Sequence, residues 1–364
     1  MMPDIQTLIP CFIVLPLTVS VLIQLFARRR AVLAGWMACL TMLVLMLTAL
    51  ATVGSATGGE MIYNMGGWAT PIGIDLRMDN LTSLMVVTIN TIGLAVVLYA
   101  VDYMRQFTAR PRFYSLFLLM VTGMNGVVMT GDLFNLYVFL EISAIASYSL
   151  VAFGCEQEEL EASFKYIVLG SVSSALILIA LALMYGVTGA LNMAQVSGRV
   201  AEAGMDAPLV LAFGLFICGF AFKAALVPFH AWLPDAHPAA PAPVSAMLSG
   251  VLIKAIGIYV LARLIFNVFG AQENILSMLC WLGVLSMVVG GLMAVGQQDI
   301  KRLFAYSSIS QVGFMILGLG LGTPLGLVGA LYHLVNHSVF KSLLFLNAGA
   351  IQYCTGTRQL GELG

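Results

Sequence analysis

The sequence has little charge and no residues spaced to hold a metal or a cofactor. Only 9% of its 364 residues are Asp, Glu, Lys or Arg, against 60% hydrophobic residues, and the mean hydropathy is +0.99. So few charges cannot keep such a chain soluble as a monomer, and it has no basic patch of the kind nucleic acid requires. Six cysteines stand at 11, 39, 155, 218, 280 and 354 with neither CxxC nor CxxH spacing. That excludes the familiar frameworks for iron–sulfur clusters and zinc and leaves apolar packing as their expected role. A nucleotide-binding loop is also missing, so no cofactor is expected. The first apolar run has no basic segment before it and reads as a retained span, not a cleaved signal peptide.

What is present is a succession of apolar runs longer than about 18 residues, the length that crosses hydrocarbon. The chain therefore reads as an all-α polytopic membrane protein. Eleven spans are predicted, at 5–27, 31–53, 81–104, 113–130, 132–153, 164–187, from Pro208 onward, and at 243–268, 275–295, 303–320 and 325–351. The glycine-rich excursion 54–80 predicts a small hairpin outside the membrane. An acidic link, 156–161, leads into the sixth span, and 191–203 predicts an amphipathic helix on the surface. Pro228 is expected to interrupt the seventh span, because it lacks a backbone donor and clashes with the preceding turn. A broken helix at membrane depth lines a polar cavity.

The sixteen basic residues orient this scheme. With the N-terminus outside, ten fall on the cytoplasmic side, Lys165, Lys301 and Arg358 among them. Three fall outside, and Lys223, Lys254 and Lys341 lie within spans. That asymmetry follows the positive-inside rule and predicts a cytoplasmic or inner membrane location.

A lysine in mid-membrane costs roughly 2.5 to 3.5 kcal/mol on insertion scales, so Lys223 and Lys254 in successive spans point to a use for charge, with snorkelling to the interface as the alternative. Glu141 stands at the centre of the fifth span, with Ser143, Ser147 and Tyr148 on the same helix; it is either a protonated core carboxyl or the partner of a buried lysine. At about 4 Å and an effective dielectric near 20, such a pair is worth about 4 kcal/mol, enough to switch a lysine's affinity for its proton. His333, His337 and Lys341 follow at intervals of four and share one helical face. Two histidines so spaced could hold a metal, but with no third ligand of a familiar motif nearby the stripe reads as a proton or ion relay. His230 and His237 flank the expected break, either continuing that relay or capping it.

FKAALVPFHAWLPDAHPAAPAPVSA, preceded by GDLFNLYVFLE and followed by LYHLVNHSVFKSLLFLNAGAI, resembles the antiporter-like subunits shared by respiratory complex I, membrane-bound hydrogenases and Mrp sodium/proton antiporters. The likeness runs from about Arg112 to the last residue and is strongest to the Mrp D-subunit and hydrogenase H-subunit branch. It implies a fourteen-helix fold with two inverted five-helix repeats and broken helices seven and twelve. On that frame residues 1–111 form an N-terminal three-helix segment with the hairpin, 112–270 the first repeat, and 271–364 an incomplete second repeat. The chain is then expected to be truncated or split after helix eleven. The family often carries a polar or acidic residue where Ala239 stands.

The resemblance also implies roles. Glu141 would be the switching carboxylate, Lys223 its partner, Lys254 the next carrier, and His333, His337 and Lys341 the central relay; the helix-break reading adds Pro228, His230 and His237 as gating residues. The expected function is translocation of protons, with sodium exchange as a variant, by one subunit of a larger membrane assembly. Its energy would come from a neighbouring redox module or an opposing ion gradient. The alternative is a subunit of an oxidoreductase that itself binds quinone or a redox carrier, for which the sequence offers no motif.

Overall fold

The computed structural model describes residues 5–56 and 59–363; Thr57 and Gly58, within the predicted hairpin excursion, lie outside the described residues. Thirteen helices and one two-stranded sheet make up the described chain. The helices are α1 (Cys11–Phe26), α2 (Ala31–Ala56), α3 (Asn80–Tyr103), α4 (Arg110–Met129), α5 (Leu133–Val151), α6 (Gln157–Thr188) and α7 (Met193–Ala203). There follow α8 (Ala207–Lys223), α9 (Leu233–Ala239), α10 (Ala242–Val268), α11 (Glu273–Val295), α12 (Ile300–Gly320) and α13 (Pro324–Thr355). Nine described helices are long and apolar enough to cross a membrane. The shorter α8 and the more polar α13 occupy the remaining two predicted spans, so the protein is multi-pass.

Helix starts follow short polar caps. Asp132 accepts from the Asn135 amide at 2.7 Å ahead of α5, Asp299 from the Lys301 amide at 2.8 Å ahead of α12, and Asn192 from the Ala194 amide at 3.1 Å ahead of α7. Such caps satisfy amides that no preceding turn can reach. The acidic link is not a loop: α6 begins at Gln157, and Glu158 and Glu159 lie in its first turn, where carboxylates meet the positive end of the helix dipole.

The chain divides into two compact units, residues 1–147 with 178–212, and residues 148–177 with 213–364. In the first, α1 packs on α4 through the hydroxyls of Ser20 and Ser115, 2.8 Å apart. Buried Asn90 on α3 and Asn125 on α4 bond to each other, and Asn125 also donates to the Phe12 carbonyl. The predicted hairpin is β1 (Met61–Asn64) paired antiparallel with β2 (Asp75–Met78). Asp75 fixes it to the heads of α5 and α7: its carbonyl accepts from Gly131 and its carboxylate from Asn192. The amphipathic helix predicted at 191–203 is α7.

In the second unit α10 runs through the centre, and the most apolar stretch of this helix is buried throughout. It contains wide π-type turns at Leu248–Leu252, Lys254–Tyr259 and Leu264–Val268. Such turns re-aim side chains and recur at functional sites. Beside it α11 and α12 approach closely: a Cβ on Gly313 would stand 2.6 Å from the Met287 nitrogen, and one on Gly290 2.5 Å from that of Ser310. Small residues permit this backbone proximity, which is how helices associate where burial from water supplies no drive. Among the cysteines, Cys39 is buried, and Cys155 and Cys354 are exposed.

Candidate ion-relay site

The seventh span breaks earlier than its proline suggests. α8 ends at Lys223, and Ala225 takes a left-handed conformation, φ 56°, so the helix has already ended five residues before Pro228. An alanine in that region is strained, a condition that concentrates at functional sites. The freed backbone groups find partners in the second unit. The Val227 amide donates to the Ser286 hydroxyl of α11 at 3.0 Å, and the Trp232 indole donates to the Phe222 carbonyl at 3.0 Å. Irregular backbone at membrane depth requires such satisfaction.

Lys223 is 3% exposed and occupies the last position of α8, where an ammonium faces the negative end of the helix. Its Nζ donates to the Ser174 hydroxyl at 3.1 Å and the Gly170 carbonyl at 3.4 Å, both on α6. The same face of α6 carries Ser173, whose hydroxyl donates to the Gly219 carbonyl, and Tyr166, stacked on Trp232.

Lys254 and Lys341 are both fully buried. Lys254 curls back along α10 to the carbonyl of Ser249. Lys341 reaches from α13 to α12, donating to the Ser307 hydroxyl at 3.0 Å and the Phe304 carbonyl at 3.2 Å. These partners are neutral oxygens. His337 is buried one turn before Lys341 and within electrostatic reach of both lysines. Its ring centroid lies 6.0 Å from that of His333, so the expected stripe is present on one face of α13. Among the described residues no group of three His, Cys, Asp or Glu side chains is arranged to hold a metal.

His237 is fully buried in α9 against Phe345, ring centroids 4.5 Å apart. Both its nitrogens, like both of His337, lack a hydrogen-bond partner among the described residues. Pro228 is exposed and His230 half-buried in the turns after the break. Lys301, placed by sequence in a cytoplasmic loop, is instead 2% exposed; its Nζ donates to the Ala240 carbonyl at the end of α9, 2.9 Å away. The Asp-Ile-Lys spacing that caps α12 was the available signal. Next to it opens a polar cavity of about 290 Å³, lined by Glu158, Lys165, Asp235, Arg302 and Arg358 among others. Asp235 pairs with Lys165 at 3.0 Å and Arg302 at 3.3 Å, and Arg358 with Asp299 at 2.5 Å and Glu158 at 3.1 Å.

Glu141 belongs to the first unit, half-buried on α5 with Tyr137 one turn before it. Ser143 and Ser147 direct their hydroxyls to carbonyls of their own helix, at 2.9 and 2.7 Å. The second unit thus gathers Lys223, Lys254, His237, His333, His337 and Lys341, while Glu141 is assigned to the other unit.

Residues 130–364 match the family model described as NADH:quinone oxidoreductase/Mrp antiporter, TM, a stretch that includes every helix from α5 onward. The chain belongs to this family. Residues 66–114 match a second model, the N-terminus of chain 5 of NADH-ubiquinone oxidoreductase (complex I). Among curated relatives, the chain is 37% identical to NADH-quinone oxidoreductase subunit N of Desulforudis audaxviator, over 99% of its own length and 72% of that protein. It is 35% identical to the Na(+)/H(+) antiporter D-subunit of Alkalihalophilus pseudofirmus, over 97% of its length and 71% of that protein. Its fold superposes with TM-score 0.91 and 32% identity on a chain of a membrane-bound sulfane sulfur reductase, an archaeal respiratory membrane complex, covering 98% of this chain and 73% of that one. Likeness to members of the NADH:quinone oxidoreductase/Mrp antiporter family therefore begins well before about Arg112, where the resemblance read from the motifs begins, and it extends to the complex I branch as much as to Mrp.

Proposed function

We propose that this chain is an ion-translocating, antiporter-like subunit of a multisubunit membrane complex, and that protons move through it along Glu141, Lys223, Lys254, His333, His337 and Lys341. The observation that carries this reading is that Lys254 and Lys341, fully buried, have no carboxylate partner among the described residues: a carbonyl holds Lys254, and a hydroxyl, a carbonyl and the face of the Phe304 ring, 5.6 Å away, hold Lys341. A lysine kept for structure alone would be expected to have a carboxylate to offset its desolvation, whereas a carrier must be able to give up its proton. Neutral hydroxyls and carbonyls stabilise the ammonium enough to form it and too little to trap it.

Glu141 acts as the switch. Approach of its carboxylate favours the charged form of Lys223, and withdrawal releases the proton toward Lys254. The break after Lys223 frees the short α9, with His237 inside it and His230 before it, to gate access. The α5–α6 and α12–α13 pairs support two related halves. Asp299 lies 167 positions after Asp132, and each caps its helix. Gln359 lies 167 positions after Asn192, and each forms the isolated bridge to that capping aspartate. α6 and α13 are both 32 residues long and start 167 positions apart.

The subunit sits in the cell membrane with its N-terminus outside. Its partners are other membrane subunits, and its ions are H+ alone or H+ against Na+. The test is ion flux in vesicles containing the complete assembly, wild type against Glu141→Gln, in sodium-free buffer and with sodium. Loss of acidification in the mutant supports Glu141 on the coupling path, and dependence on sodium selects exchange of the Mrp type. Unchanged flux would make Glu141 an ordinary core residue and end the relay reading.

A further inference from the structure

α12 carries a polar face that none of the charge patterns reveals. Ser307 touches the Lys341 ammonium at 3.0 Å. The next residue, Ser308, is fully buried, and its Oγ lies 2.7 Å from the Oγ of Ser249 on α10. Ser249 is the residue whose carbonyl holds Lys254. Ser308 also donates to the Phe304 carbonyl at 2.7 Å, the oxygen that accepts from Lys341. Since the Ser308 proton is directed there, the Ser249 hydroxyl is the donor within the pair. Hydrogen-bonded groups thus extend from the neighbourhood of Lys254 to that of Lys341, and they pass through α12.

The position of Ser308 has a second meaning. It lies nine residues beyond the capping Asp299, as Glu141 lies nine beyond the capping Asp132. Where α5 presents a carboxylate, α12 presents a hydroxyl. A carboxylate stores charge and can switch a neighbour's proton affinity. A serine hydroxyl has one donor and two acceptor lone pairs and stays neutral, so it passes a proton without keeping one.

We propose that Ser249, Ser307 and Ser308 form the hydroxyl bridge that carries the proton between Lys254 and Lys341. This rests on the relay reading above and assigns the step between the two lysines to the serines, leaving His333 and His337, on the helix face that carries Lys341, to exchange protons with that lysine. In the transfer Lys254 loses an N–H proton and neutral Lys341 gains one. A water carries the proton from Lys254 to the Ser249 hydroxyl, which gives its own to Ser308; Ser308 turns its hydroxyl away from the Phe304 carbonyl and gives its proton to a second water, which passes one to Ser307, and Ser307 gives its own to Lys341. Every serine ends with the proton count it began with, and no carboxylate is needed on this segment.

Proton flux in vesicles bearing the complete assembly tests the bridge, with assembly followed on native gels. Ser308→Ala should lower flux at least about tenfold in a normally assembled complex, and Ser308→Thr, which restores the hydroxyl, should return it to within about threefold of wild type. Ser249→Ala breaks the same pair from α10 and should reproduce the loss, which guards against a folding defect in either variant. Lys341→Ala is the reference arm. Wild-type flux in Ser308→Ala or Ser249→Ala beside an inactive Lys341→Ala overturns the bridge alone. Wild-type flux in Lys341→Ala overturns the relay, and the bridge with it.

Discussion

Tyr166 of α6 lies flat on Trp232, ring centroids 4.1 Å apart and planes within 3° of parallel, and the indole N–H of Trp232 holds the carbonyl of Phe222, the residue before Lys223. The stack ties the broken segment to the helix that also supplies the lysine's oxygen partners. Trp232→Ala should destabilise the protein by about 3 to 5 kcal/mol, as removal of a buried tryptophan does. Trp232→Phe should lose only about 1 kcal/mol, because Phe222 keeps its bond from the Ala225 amide. Thermal unfolding in detergent would rank the two; equal losses would show that the ring stack contributes little.

A second prediction concerns pH. Burial, with Asp75 nearby, raises the carboxyl of Asp132 above its ordinary value of 3.8, although backbone amides pull the other way. With the folded pKa raised, the native state binds the proton more tightly than the unfolded chain. The contribution is therefore present at low pH and is lost as pH rises through the raised value. Asp132→Asn keeps a capping oxygen and removes the titration. Unfolding of that variant should depend less on pH, from about 4 upward, than wild type; parallel pH profiles would contradict this.

Close helix packing gives a sharper contrast. Gly313→Ala sets a methyl 2.6 Å from backbone of α11 and should disturb the α11–α12 pair, whereas the nearest atom to a methyl on Gly291 is the Ser310 hydroxyl at 3.8 Å. Gly291→Ala should be neutral or stabilising by up to about 1 kcal/mol, the propensity gain of alanine in a helix. Yield and unfolding temperature of the two variants would decide.

The charged cavity should contribute unevenly to stability. Glu158 is 78% exposed in its pair with Arg358, so Glu158→Gln should change stability by less than about 0.5 kcal/mol. Arg358→Ala also releases the Asp299 carboxylate and the Pro238 carbonyl, and should be the more costly by about 1 to 2 kcal/mol. Denaturation at low and high salt would separate the two effects.

The helices, the hairpin and the surface helix were legible because long apolar runs, glycine-rich turns and amphipathic spacing are local signals. The buried lysines and the α13 stripe were legible because a charge in an apolar run stands out. The break was legible from Pro228, which lies within the non-helical stretch 224–232, but its start was not, because a left-handed Ala225 does not announce itself. Lys301 was lost among neighbouring charges, and its burial depends on the distant Ala240 carbonyl. Ser249, Ser307 and Ser308 gave no signal at all, since serine is common in membrane helices and only pairing across α10, α12 and α13 makes these three significant.

Two lysine variants separate carrier from anchor. Lys254→Arg keeps the charge on a group that hardly releases a proton, and should retain only part of the flux; full activity would argue against Lys254 as a carrier. The most direct measurement is proton flux in vesicles bearing the assembled complex with Lys223→Ala. The account predicts normal assembly and no pumping. Pumping at the wild-type rate would contradict it.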